Sequence, residues 1–448
     1  MMRLSVGGVR EDMFALKLLI MALPLELAVA QLMHGLFKGF LPAPALVLHP
    51  LLALAMALIA LQYLTRDDLK RQDSIVLIAV VLLAFPCVYH IAQGNWWDLR
   101  FLLLGVGSLL LGVMLAGSGG IRFVARPLAM GLIVWCVAVV LSFVADTFQL
   151  LDFHEGARHY ALDQLVLAMR YPDSIELDLY YPKLTGNWNK ASNIIVLASM
   201  FLMIAIYRDR PARPLFLTAM ATMSVVSILS YSRGGMLVSA GLGCFNLLLL
   251  LWIPQADRRA WALAALIMIL PLAVSFCLPA MRMAWFDMSS MDQRMVLAYQ
   301  AIEFEAHGLG AGSGGGAWGA LMKVVQPVLN LLLGIGVGTY GEKLVGNPFA
   351  GTHNMFLDMF IAGGLIQVLG LLVLIGYSWL VVLRKGLRSV TQMIGGMAIL
   401  AVVVLAFREF DLNYLGVLAL PALLFGWLIG EALGHPSGAA MARHRERV

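Results

Sequence analysis

Arg233, Arg294, Lys190 and His353 are the residues through which this chain offers chemistry. Guanidinium groups match phosphate oxygens in bidentate geometry, so two arginines with a lysine suit a phosphorylated substrate. Imidazole, with an unperturbed pKa of about 6.5, is the side chain best suited to take a proton from a hydroxyl near neutral pH. A diphosphate is a good leaving group, so a transferase using one needs positive charge at the phosphates and a base for the acceptor. Each residue also has an ordinary explanation. An arginine at a helix end reaches for headgroups, one on a helix face is simply solvated, and a histidine before a helix is a cap.

The surroundings of these residues favour chemistry. Arg233 is the only basic residue in its connector, Ser230-Tyr231-Ser232-Arg233-Gly234-Gly235, and the two glycines let other backbone approach closely. Arg294 lies on a predicted helix over residues 292–305 whose apolar stripe is Met295, Val296, Ala298, Tyr299 and Ile302. Lys190 belongs to Gly186-Asn187-Trp188-Asn189-Lys190-Ala191-Ser192-Asn193, which leads into an apolar run. Ser192 and Asn193 read as N-caps or as supporting groups of a site. A cation beside the positive end of a helix dipole is locally unfavourable unless an anion also sits there. His353 directly precedes Asn354, and Asn354 and Asp358 share a helix face, whereas Asp358 lies about 140° round the axis from His353.

Two glycine tracts complete the set, Gly308 to Gly316 and Gly334-Ile335-Gly336-Val337-Gly338-Thr339-Tyr340. Neither shows the strand–turn–helix unit of a dinucleotide fingerprint or a Gly-Lys-Ser/Thr ending. They read as a close-packed wall beside a substrate, with Tyr340 as a supporting residue. The carboxylate pairs Glu176/Asp178 and Glu303/Glu305 are a weak case for a divalent ion. No metal and no cofactor is expected.

The frame around these residues is a membrane protein. Hydrophobic residues make up 61% of the chain and charged residues 13%. Apolar runs predict about twelve transmembrane helices, at 13–33, 43–63, 74–91, 99–116, 123–146, 192–207, 215–229, 234–253, 260–278, 354–383, 391–407 and 414–433. The first run is longer than a signal h-region and contains Pro24 and Glu26, so it counts as a span. Alternate connectors are short and basic, including Arg122 and Arg126, then Arg208, Arg210 and Arg213, then Arg258 and Arg259. The positive-inside rule assigns them, and both termini, to the cytoplasm. The net charge of +5 is mostly this belt, whose role reads as topology, and nucleic-acid binding is not indicated. Cys87, Cys136, Cys244 and Cys277 each sit alone in an apolar run and read as packing residues. The fold class is therefore all-α, one integral membrane unit over 1–448. Two long outer loops, 147–191 and 279–353, hold short helices, and the second carries the catalytic region.

In order and spacing, Gly186 to Asn193, Ser232-Arg233-Gly234, the Arg294 helix, Gly334 to Tyr340 and His353-Asn354-Met355-Phe356-Leu357 resemble the O-antigen ligase and polymerase superfamily. The resemblance covers about residues 186–364. It implies a GT-C-like glycosyltransferase of the bacterial inner membrane, active at the periplasmic face without metal. Such an enzyme moves a glycan from undecaprenyl diphosphate to a hydroxyl acceptor. It also implies essential roles for Arg233, Arg294 and His353. Trp188 and Lys190 depart from the family's usual form, so a role for Lys190 rests on the charge argument alone.

A ligase acting on lipid A core oligosaccharide is preferred within that superfamily, because the chain has no large C-terminal soluble domain and the principal motif-bearing loop is the late one. A polymerase and a protein O-oligosaccharyltransferase are the alternatives. A transporter of the same lipid-linked glycan is the reading from another class. It would be marked by internal repeats and ionisable residues near the midplane, and the sequence shows no repeat and one deep acid, Glu26. A scaffold would leave the outer cations without a task. Trp96, Trp97, Trp188, Tyr180, Tyr181, Trp285 and Trp318 either stack on sugars or form the aromatic belt of the interface.

Overall fold

The computed structural model describes residues 17–25, 74–117, 121–147, 188–230, 232–277, 317–337, 339, 354–384, 389–406 and 419–433. Among them the chain is helical and has no strand. Helix α1 is Ser74–Ala92. Helix α2 opens as Trp96–Arg100, continues through a π-helical stretch, Phe101–Gly107, and ends as Ser108–Gly117. The others are α3 (Ile121–Thr147), α4 (Trp188–Arg208), α5 (Arg213–Ser230), α6 (Arg233–Leu248), α7 (Gln255–Cys277), α8 (Ala317–Leu333), α9 (Met355–Arg384), α10 (Val390–Ala406) and α11 (Ala419–Leu433).

Eight of these segments, in α1 to α7 and α9, are long and apolar enough to cross a membrane, and α10 and α11 are shorter apolar helices. The protein is therefore a polytopic membrane protein. The expected spans from 74 onward each coincide with one of these helices. Of the first expected span only 17–25 is described, and the second lies outside the described residues. Helix α8 falls inside the long loop expected at 279–353.

Packing follows the rules of an apolar solvent. On α1 the exposed side chains Ile78, Val81, Phe85 and Val88 form a stripe opposite buried Val76, Ala79, Leu83 and Cys87. This is the division expected of a helix with one face to lipid. Lipid supplies no hydrophobic drive between helices, so close backbone approach decides which faces meet. In α11, Gly426 and Gly430 form a Gly-x-x-x-Gly pair. Side chains built there would overlap the Leu109 carbonyl and crowd Val113 and Ala116 of α2, and Gly112 of α2 fits against Leu423 and Trp427 in return. Helix α4 is the axis of the bundle, buried on nearly every side from Ala191 to Ile206. Cys87 and Cys136 are buried as expected of packing residues, but Cys244 and Cys277 are exposed.

One end of the bundle is closed by ion pairs. Arg126 of α3 holds Asp209 through two hydrogen bonds of 2.7 and 2.9 Å. Arg208, at the end of α4, holds Glu431 of α11 through two of 2.6 Å and reaches Thr391 of α10 at 3.2 Å. Arg210 reaches Asp257 of α7 at 2.9 Å, and Arg213 pairs with the same carboxylate. Asp209, Asp257 and Glu431 are buried. The arginines of the basic connectors are thus structural as well: four of them tie six helices together. A buried pair adds little net stability, because desolvation offsets the attraction, but breaking one leaves an uncompensated charge.

Two stability outcomes follow from this packing. Gly426→Leu is expected to destabilise the folded protein by about 1–3 kcal/mol through overpacking, whereas Gly241→Leu, beside open space, leaves thermal unfolding in detergent nearly unchanged. Glu431→Leu strands Arg208 and costs about 3–5 kcal/mol, and the pair Arg208→Met with Glu431→Leu recovers most of that loss in the same measurement.

Candidate functional site

The end of the bundle opposite the ion pairs gathers the starts of α4, α6 and α9 and the turn between α1 and α2. Helix α6 begins at Arg233. Ser232, in an extended conformation, caps it, and its Oγ accepts from the Gly235 N–H at 3.4 Å. Arg233 is half-buried, and Gly234 and Gly235 are buried. A methyl group at Gly235 would overlap Ser192 Oγ, so the first turn of α6 lies directly on α4. This contact explains the second glycine of Ser232-Arg233-Gly234-Gly235 as a packing requirement.

Helix α4 begins at Trp188, not at the expected 192. Ser192 and Asn193 are therefore not N-caps. They occupy the second turn, where Ser192 is 1% and Asn193 0% exposed. No helix breaker separates Trp188 from Ser192, so the helix extends back through the polar stretch. Ser192 Oγ meets no hydrogen-bond partner among the described residues. Lys190 falls on the first turn of α4, at the same end of the bundle as Arg233. Its side chain lies outside the described residues, as do Asn187, Arg294, Tyr340 and His353.

Asn354 caps α9. Its Oδ1 accepts from the N–H groups of Phe356 and Leu357 at 3.1 and 3.2 Å, and its carbonyl accepts from the Asp358 N–H at 2.8 Å. This fixes the chain direction one residue after His353. Asp358 is buried in the first turn of α9.

The glycine tract after α8 is seated by two backbone breaks that complete each other. Gly364 interrupts α9 with φ 65° and ψ −165°. In an unbroken helix the carbonyls of Ile361 and Ala362 would accept from the N–H groups four residues on. They accept instead from Ile335 and Gly336, at 2.8 and 2.9 Å. Gly334 and Gly336 take φ 73° and 91°, and Cβ atoms there would overlap Ala362 and Asn95. Glycine is the residue that adopts positive φ without steric cost.

A third element grips the tract from the other side. His90 Nε2 lies 2.8 Å from the Leu333 carbonyl. Asn95 Nδ2 donates to the Val337 carbonyl at 3.2 Å and to Thr339 Oγ1 at 3.3 Å, while Asn95 Oδ1 accepts from the Trp97 N–H and caps α2. Asp98 Oδ2 accepts from the Val337 N–H at 3.1 Å. Below them Gln367 of α9 donates to the Leu83 carbonyl of α1 at 3.1 Å and contacts Cys87.

His90, Asn95 and Asp98 are not among the residues expected from sequence. A span starting at 99 leaves Asp98 in water, whereas α2 starts at Trp96 and Asp98 is 1% exposed. Glu26, expected as the one deep acid, lies outside the described residues, and Asp98 and Asp358 are both buried. The signal available was Gly94-Asn95 between two apolar runs, with an acid three residues on. Of the aromatic candidates, Trp96 is 70% exposed, as suits an interface, and Trp97 lies under the Arg100 guanidinium, 5.4 Å from its ring centre. The others lie outside the described side chains.

Chemically, this end of the bundle offers a guanidinium on the first turn of a capped helix, where the dipole favours anions. Among the described residues no three His, Cys, Asp or Glu side chains come together as metal ligands. Glu176, Asp178, Glu303 and Glu305 lie outside those residues. Compared with protein-family models, curated proteins and solved structures, the chain matches none. The α4–α6 contact yields a compensation experiment. Gly235→Ala is expected to cost about 1–3 kcal/mol, and Ser192→Gly in the same chain to restore most of it, as read by thermal unfolding.

Proposed function

We propose that this protein is a membrane glycosyltransferase of the O-antigen ligase type. It takes O-antigen polysaccharide from undecaprenyl diphosphate and joins it to a sugar hydroxyl of lipid A core oligosaccharide, at the periplasmic face of the bacterial inner membrane. The observation that carries the reading is the gathering at one bundle end of Arg233 on a capped helix start, the first turn of α4 with Lys190, the seated glycine tract, and the Asn354 cap that follows His353. The order of motifs from 186 to 364 supports it independently.

The chemistry is a direct displacement. His353 removes the proton of the acceptor hydroxyl, and that oxygen attacks the anomeric carbon of the glycan. The bond to the diphosphate breaks, and Arg233 and Arg294, with Lys190, neutralise the charge on the departing group. One displacement inverts the anomeric configuration. No metal or cofactor takes part in this scheme. A polymerase or a protein O-oligosaccharyltransferase would use the same site on a different acceptor.

A transporter of the lipid-linked glycan gains one specific observation, the break of α9 at Gly364 where the turn held by buried Asp98 meets it, since broken helices line many transport sites. Transfer in a purified system decides between these readings, using the protein, undecaprenyl-diphosphate-linked glycan, rough lipopolysaccharide and chelator. Glycan is expected on lipid A core with inverted configuration. His353→Ala is expected to lower the rate about 10²–10⁴-fold. A retained configuration overturns the single displacement, longer lipid-linked chains make the enzyme a polymerase, and no covalent product returns the transporter.

A further inference from the structure

The turn at 334–339 is held at more points than a connecting loop needs, and the groups that hold it come from a part of the chain the chemistry above does not use. His90 and Asn95 meet the carbonyls of Leu333 and Val337, Asp98 takes the Val337 N–H, and Asn95 also reaches Thr339 Oγ1. From Thr339 only 13 residues separate this grip from His353. The carbonyls of Ile361 and Ala362 hold the same turn to α9, and α9 itself starts at the Asn354 cap, one residue after His353 in sequence. The described residues that flank 340–353 are thus both tied to α9, and the first of them also to the α1–α2 corner.

We infer that His90, Asn95 and Asp98 are positioning residues, which seat the glycine turn on the α1–α2 corner and so anchor the chain that leads to His353. The inference rests on the transferase reading. Asp98 is the central member of the seat. It is 1% exposed, its Oδ2 accepts a main-chain N–H, and its Oδ1 meets no hydrogen-bond partner among the described residues. Its neighbours are Cys87 and the Val337 main chain. The nearby groups are His90 on α1, bonded to Leu333, Arg100 on its own helix, stacked on Trp97, and the neutral Gln367 on α9. The seat therefore uses Asp98 as an acceptor of fixed direction rather than as half of an ion pair. A neutral side chain of the same shape serves equally well.

The seat also accounts for the glycines. A side chain at Gly336 would fall on Asn95 Nδ2 and Asp98 Oδ2, and one at Gly334 on the Ala362 carbonyl. Placement to within a fraction of an ångström matters for a base that must meet a bound hydroxyl, because a displacement of about 1 Å costs on the order of 10²-fold in rate.

Two measurements on the detergent-purified full chain test this. Hydrogen exchange of the peptide covering 334–337 reads the seat whether or not the protein is an enzyme. Steady-state transfer reads its consequence. Asp98→Ala and Asn95→Ala are expected to speed exchange there about tenfold or more, since a lost partner leaves a buried main-chain group unsatisfied. They are expected to lower kcat while KM for the lipid-linked donor stays near its original value. Asp98→Asn keeps an acceptor for the Val337 N–H and is expected to restore both exchange and kcat, which a merely misfolded variant would not do. Unchanged exchange in Asp98→Ala overturns the seat. Faster exchange with full kcat, or failure of Asp98→Asn to restore activity, overturns its positioning role. An original protein that yields no covalent product overturns the transferase reading and the positioning role with it, while the exchange data still report whether the seat exists.

Discussion

The constraint on which this molecule turns is that main-chain groups inside an apolar layer have no water to bond. Gly364, about 14 Å along α9 from its start at 1.5 Å per residue, breaks the helix and releases the carbonyls of Ile361 and Ala362. The chain leaving α8 brings the N–H groups of Ile335 and Gly336 to them. Each irregularity would be costly alone. Together they form a short stretch of non-helical backbone with its hydrogen bonds made, and they fix α8, α9 and the α1–α2 corner as one piece. The glycines are where they are because this mutual fit leaves no room for a Cβ.

The two ends of the bundle divide the work. At one end, Arg126, Arg208, Arg210 and Arg213 each meet a buried carboxylate, and that end is locked by charge. At the other, caps, glycines and main chain make the contacts, and Arg233 opens the capped helix α6.

Much of the frame was legible in the sequence, because a helix that must span lipid announces itself by uninterrupted apolarity. The helices from α1 to α11, with α8 excepted, match the apolar runs to within a few residues. What sequence could not supply was the partner of each polar residue. Asp98 sits beside an apolar run and reads as the last residue in water, and only the fold brings Val337 to it from more than two hundred positions away. Ser192 looked like a cap because polar residues before an apolar run often are, yet the helix runs back to Trp188. Asp257 and Glu431 carry no signal of their own in the sequence, and the fold sets Arg210, Arg213 and Arg208 against them. For Arg233 the sequence conveyed its isolation in its connector, and the fold added that it opens a capped helix resting on α4. Arg294 and His353 stay as the motifs present them.

Helix α4 is enclosed by neighbours from both halves of the chain, among them α3, α5, α10 and α11. That has a consequence for how the protein is made. A helix emerging from the ribosome meets lipid before it meets partners that have not yet been synthesised, and α10 and α11 follow α4 late in the chain. Until they arrive, α4 must wait with Ser192, Asn193 and Ser199 turned toward lipid or held by a chaperoning surface. Its Arg208 meanwhile has no Glu431 to meet. The later helices therefore close the interior, and their arrival is the step that commits α4 to its finished surroundings.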